Sequence, residues 1–200
     1  HCISSAASDV YKRQVPAYVS KSLSEHGILG CAVEWFEQFD GEFRAPKDWR
    51  PYALASVNTH DLPPAAGYLE YGHVKLREQL GLLSGPVEEF QKSAEAEHNA
   101  MLSMLVDEGY LDASALEDEL ANENEIIDAL YRGLKGSPCK LMAASIVDAV
   151  GEKRTQNQPG TSNEYPNWRI PLADGDGNVV PLEQLFDNTR LQEIAAIMRG

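Results

Sequence analysis

Asn58, Thr59, His60 and Asp61 set an amide, a hydroxyl, an imidazole and a carboxylate on four consecutive positions. Such a run can hold a polar substrate by hydrogen bonds and bring an ionised carboxylate to it. The ordinary use of an Asp here is to cap the next helix, with His60 as its solvated neighbour. Position argues for more. Residues 53–57, Ala-Leu-Ala-Ser-Val, read as a short strand covered on both faces. Pro63 and Pro64 then end the ladder, because neither can donate a backbone hydrogen bond. A helix is expected from Ala65. Strand, polar tip and helix form a βα half-unit, and chemistry in barrels and open α/β sheets collects at that carboxyl end of the strands.

The elements that must position this tip follow from periodicity. Pro16 suits the first turn of a helix with Tyr18, Val19 and Leu23 on one stripe, closed by Gly27 and Gly30. Residues 31–37 read as a strand ending in acidic side chains, and 39–52 as loop. Residues 65–135 are mostly helical. One helix runs to about Leu83, and a second over 87–108 sets Phe90, Ala94, Met101 and Leu105 on one face. Asp112 caps a short helix and Asn124 another that reaches Leu134. Residues 140–147 are a third strand candidate, although their Ala and Met content also suits a helix. Residues 151–181 are aperiodic. A closing helix over 181–199 turns Leu182, Leu185, Leu191, Ile194 and Ile197 inward. Alternating strands and helical stretches imply an α/β fold with parallel strands and helical crossovers. Three strands cannot close a barrel of eight, so the chain reads as the last portion of a βα barrel.

Composition narrows the partners. A hydrophobic fraction of 43% suits one globular unit of 200 residues, and a net charge of −14 argues against nucleic acid or an anionic membrane. No apolar run approaches the ~20 residues of a membrane span. Three widely spaced cysteines, Cys2, Cys31 and Cys139, give neither a disulfide framework nor a zinc site. With no signal peptide in view, the expected compartment is the cytoplasm. Residues 1–14 fit no periodic template. Their Ser-Ser-Ala-Ala-Ser-Asp-Val-Tyr-Lys-Arg-Gln run looks like a translated assembly artefact and is left out of the fold.

Several blocks together resemble glycoside hydrolase family 77, the amylomaltases or 4-α-glucanotransferases. They are Val15-Pro-Ala-Tyr-Val, residues 30–37, Thr59-His60-Asp61-Leu62-Pro63, Gln156-Asn157-Gln158-Pro159-Gly160-Thr161 and Glu164-Tyr165-Pro166-Asn167-Trp168-Arg169. Their order and spacing hold from Val15 to the end. The resemblance implies the C-terminal part of a (β/α)8 TIM barrel, with the helical block 65–135 inserted between its last two strands. It implies a retaining mechanism on malto-oligosaccharides and other α-1,4-glucans, with no cofactor and no metal. An Asp nucleophile and a Glu acid/base do the double displacement, and a third carboxylate steadies the oxocarbenium-like transition state. Only the third maps here, on Asp61. His60 would hydrogen-bond the same sugar ring and Asn157 would line the cleft. The motifs for the nucleophile and the acid/base are absent, so the chain alone is expected to be inactive.

Other residues carry less. Gln158 and the Pro159-Gly160-Thr161 turn serve a cleft or a plain loop equally well. Trp168 could stack on glucose, but a core anchor for its loop is the expectation; Trp35 is expected to pack a strand against a helix. Glu34 and Glu37 read as salt-bridging groups, and His26, His73 and His98 are assigned nothing. The acidic run 117–128 lacks the spacing of a calcium loop. Two alternatives stay open. A metal-dependent phosphohydrolase also uses a His-Asp doublet, here recruiting His26 and Asp107. Alternatively, the acidic helical block 84–135 is an interaction module with an exposed apolar stripe.

Overall fold

Three short parallel strands carry the polar run at one end. The computed structural model describes residues 17–200; the segment 1–14 and the Pro16 helix start lie outside them. Helix α1 (Ala17–Glu25) leads into strand β1 (Gly30–Val33) and a 3-10 turn (Glu34–Phe36). A small hairpin of β2 (Gln38–Phe39) and β3 (Glu42–Phe43) and a second 3-10 turn (Pro46–Asp48) precede β4 (Ala53–Ser56). Helices α2 (Ala65–Leu69), α3 (Gly72–Gln79) and α4 (Val87–Asp107), a 3-10 turn (Ala113–Glu117) and α5 (Glu123–Gly136) follow. Strand β5 (Leu141–Ala143) and helices α6 (Ile146–Val150), α7 (Leu182–Leu185) and α8 (Thr189–Arg199) complete the chain. The fold is α/β: β4 lies between β1 and β5, parallel to both, and the helical block α2–α5 falls between β4 and β5.

Register explains where the expected strands are cut short. The ladders end at Val33↔Ser56 and Ser56↔Ala143. Beyond Ser56 the central strand has turned into the polar tip, so residues 34–37 and 144–147 have no edge to pair with. The first group coils to bury Trp35, which stacks on Tyr68 of α2 with ring centroids 3.9 Å apart, so it packs on a helix as expected but from a 3-10 turn and not from a strand. The second coils into α6. The expected loop 39–52 holds a hairpin instead. Its Asp40-Gly41 pair takes φ of 53° and 84°, the left-handed pair that a tight two-residue turn requires.

The helices depart from expectation in the same local way. The helix read from 65 to 83 breaks at Tyr71, whose φ is 58°. Asp112 caps as expected, its Oδ1 accepting from Ser114 N at 2.9 Å, whereas α5 starts at Glu123 with Asn122, not Asn124, in front of it. The closing helix is two pieces. Asn188 accepts from Leu191 N to start the second, and Leu182 faces solvent while Leu185 and Ile194 are buried. Met101, Leu102 and Leu105 of α4 and Ile126, Ile127, Leu130 and Leu134 of α5 are buried in one cluster. The apolar stripe that an interaction module would display is therefore inside. His73 and His98 are not idle surface groups. Both stack on Tyr68, and the buried His98 meets Glu119 through Nε2 at 2.7 Å. Burial, reinforced by Arg77, pushes the His73 imidazole down to about 4, so it is neutral in the folded chain.

Gly67 is where α2 meets the segment after α6. A Cβ at this position would overlap the carbonyl oxygen of Lys153 and lie 3.0 Å from its carbonyl carbon. Both partners are backbone, so neither yields as a side-chain end would. Gly67→Ala is expected to cost on the order of 3 kcal/mol in urea unfolding, the range of core overpacking. A loss under about 0.5 kcal/mol would mean that the two segments are not held this close.

Candidate active site

The residues 57–64 that join β4 to α2 start inside, reach the surface at His60 and return to the interior at Pro64. Val57 and Asn58 are buried, Thr59 and Asp61 are partly covered, and His60 is exposed. The change follows from composition: the apolar strand ends, and the polar run can reach water only at the rim. Leu62 N donates to Thr59 O at 3.1 Å, which tightens the tip into a turn. A cleft of about 290 Å3 opens at the C-terminal ends of β4 and β5, lined by Ser56, Asn58, His60, Ala143, Ser145 and Gln156 among others.

Asn157, ninety-six residues further on, closes over the tip. Its backbone N–H donates to His60 O at 3.1 Å and its Nδ2 to Asp61 Oδ1 at 2.7 Å. His60 Nε2 stands 3.0 Å from the same oxygen. The structure thus joins the three residues singled out in the sequence, His60, Asp61 and Asn157. Gln158 serves the loop rather than the tip: its N–H donates to Asn167 Oδ1, and Thr161 Oγ1 donates to its carbonyl. Asn167 Nδ2 donates to Thr161 Oγ1 at 2.8 Å, so the Pro-Gly-Thr and Pro-Asn-Trp turns brace each other.

Trp168 corrects an expectation. It is 64% exposed, not a core anchor, and its ring stands 4.9 Å from that of His60. The anchor is Tyr165, buried, with its hydroxyl donating to Thr155 O at 2.7 Å. Trp168 has a φ of 61°, which turns its side chain outward and costs a non-glycine residue about 1–2 kcal/mol. The bond from its N–H to Gln156 O at 2.9 Å holds that conformation.

Two buried carboxylates that periodicity missed underlie the site. Asp148 accepts from Asn58 Nδ2 at 2.8 Å on both oxygens, from Ala65 N at 2.7 Å and from Tyr131 Oη at 2.7 Å. Burial raises its carboxyl above the usual range, and these donors pull it back. Glu152 accepts from the N–H groups of Lys153, Arg154 and Ala173 and from the Arg154 guanidinium. Burial would raise its pKa, but the Arg154 contacts prevail and hold it below the ordinary value. The available signal was a lone acid ending an apolar run, as Asp148 does after residues 141–147. Glu37, expected in ion pairs, lies 3.7 Å from both Arg44 and Arg50; Glu34, expected likewise, is buried with no partner on either oxygen among the described residues. Among the described residues, no group of three or more His, Cys, Asp and Glu could hold a metal ion. The ring of His26, in the turn after α1, bonds to Ser22 O of that helix.

The sequence profile of the 4-alpha-glucanotransferases, glycoside hydrolase family 77, matches residues 14–175. The chain belongs to this family. The 4-alpha-glucanotransferase of Mycobacterium tuberculosis is 45% identical over 191 residues, covering 93% of this chain and 26% of the relative. That of Haemophilus influenzae is 30% identical over 181 residues, covering 89% of this chain and 25% of the relative. The crystal structure of amylomaltase from Corynebacterium glutamicum superposes with a TM-score of 0.86 at 35% identity, covering 92% of this chain and 27% of that one. This glucanotransferase-family chain thus spans about a quarter of the length of the relatives it matches. The match includes the His60–Asp61 tip and the Asn157 segment, and the phosphohydrolase alternative falls with it.

Proposed function

We propose that residues 15–200 are the C-terminal section of the (β/α)8 barrel of a retaining 4-α-glucanotransferase, which moves α-1,4-glucan segments between malto-oligosaccharides. The observation that carries this is Asp61, in the loop that leaves a parallel strand and between two residues that line a cleft, His60 and Leu62, with its contacts among the described residues confined to one oxygen. Among the described residues both His60 and Asn157 meet Oδ1, which leaves Oδ2 to accept from sugar hydroxyls. Fixed there, the carboxylate faces the positive charge that grows on the anomeric carbon as the glycosidic bond breaks, without having to reorganise. His60, with Nε2 against Asp61, offers its other ring nitrogen to the same sugar, and Asn157 holds the pair in place. In the three-stranded sheet β1 and β5 each have one neighbour among the described residues, as a section of a larger barrel would. The helical block, residues 65–135, covers its outside.

The nucleophilic Asp and the proton-donating Glu come from sequence outside the described residues. In the assembled site the nucleophile displaces the leaving sugar, the Glu protonates that oxygen, and an acceptor hydroxyl then releases the bound glucosyl unit. The substrate is a neutral glucan, in keeping with a net charge of −14 that disfavours nucleic acid. No described helix is long and apolar enough to cross a membrane. The free thiols of Cys31 and Cys139 suit a cytoplasmic enzyme.

The test places residues 15–200 in the M. tuberculosis relative, in place of its matching section, and supplies maltotriose. Release of glucose together with longer maltodextrins is expected from the chimera, and neither from the isolated chain. A folded but inert chimera, or an active isolated chain, would sink the reading.

A further inference from the structure

We propose that Asp148 is a positioning residue: it clamps both ends of the loop that presents His60 and Asp61. Asn58, the last buried residue of the strand side, reaches Asp148 through its side-chain amide, and Ala65, the first residue of α2, reaches it through its backbone N–H. Residues 59–64 lie between these two anchors. One carboxylate therefore fixes the span of the loop and the direction in which it leaves the sheet. Tyr131 of α5 locks the carboxylate in turn, donating to Oδ2 while its own oxygen accepts from Ser145 N at 3.0 Å.

Space-filling does not account for this residue. Asp148 is 1% exposed, and burying a carboxylate is unfavourable where an apolar side chain of similar size would serve. Among the described residues no basic side chain meets it; its donors there are the two loop ends and one tyrosine. Asn157 holds the tip of the same loop through Asp61 Oδ1 and His60 O. Base and tip are thus gripped separately, and Asp61 Oδ2 is left without freedom to wander. An error of about 1 Å in such a group costs on the order of 100-fold in rate.

This inference rests on the glucanotransferase reading for its catalytic part only, so two measurements separate them. In the 200-residue chain, Asp148→Asn is expected to speed amide hydrogen exchange over residues 59–65 by about 100-fold. Exchange in β4 and in the core of α5 should stay within about 3-fold of the parent. In the chimera the same substitution is expected to lower kcat about 100-fold on maltotriose with KM within about 3-fold. Adding Asn58→Asp restores an amide–carboxylate pair with the roles exchanged and should recover at least about 10-fold of that loss. Should Asp148→Asn prevent folding, Asn58→Ala releases one loop end alone and is expected to give the same loop-selective exchange, about 10-fold faster. Exchange that stays unchanged at the loop, or rises equally everywhere, overturns the clamp. So does an active chimera whose kcat is indifferent to Asp148→Asn. If the unsubstituted chimera is inert, the glucanotransferase reading fails instead, and the exchange result alone decides the clamp.

Discussion

Asp61→Asn in the chimera is expected to slow transfer from maltotriose at least about 100-fold, almost all of it in kcat. The substitution keeps the shape of the side chain and still offers an oxygen to Asn157 Nδ2, so the loop retains its closure. What disappears is the negative charge, and that charge matters most when the sugar ring becomes cationic. An interaction made chiefly in the transition state lowers kcat and leaves binding largely alone. Asp61 is partly exposed at the rim, so unfolding free energy should change by less than about 0.5 kcal/mol. Initial rates and a urea curve on the same preparation separate the two effects. A chimera that keeps a third of its rate would mean that Asp61 only shapes the cleft.

Glu34 should make stability depend on pH. Its carboxyl is buried, both oxygens lack a partner among the described residues, and burial, with Glu37 adding to it, pushes the pKa up to about 8. In the unfolded chain it titrates near 4.5. Folded-state pKa above unfolded-state pKa means that the native form favours the proton. The neutral carboxyl is tolerated in full below pH ~4.5, and stability falls as pH rises from there to about 8, then levels off. Each unit of separation is worth about 1.4 kcal/mol, which sets a ceiling of about 5 kcal/mol. Glu34→Met fills the same space without an ionisable group. The variant should therefore gain on the parent steadily from pH 5 to 8 in urea unfolding, with no further gain above pH 9. A difference that stays flat across this range would mean that Glu34 finds a partner or water in solution.

Local chemistry was legible where the chain acts locally. The 53–57 strand, the proline stop after Asp61, the Asp112 cap and the long α4 helix each follow from a few adjacent side chains, and each stands where the residues put it. The blocks around His60, Asp61 and Asn157 also identified the family before any coordinates. Strand lengths were not legible, because a strand ends where its neighbour stops offering hydrogen bonds. Val33 and Ala143 are last in their strands only because Ser56 is last in theirs.

The sequence by itself determined the family, the α/β alternation and the polar tip with its carboxylate. Only the tertiary structure decided what grips that tip. Asn157 lies ninety-six residues from Asp61, and Asp148 ninety residues from Asn58, so no window of periodicity can pair them. The same holds for Trp168, whose exposure follows from a left-handed backbone held by Gln156, and for Glu34, whose high pKa exists only once the coil after β1 has folded it away from water. Hydrogen-bond partners and burial belong to the packed chain. A residue type states what a side chain is able to do, and its neighbours in space decide whether it does so.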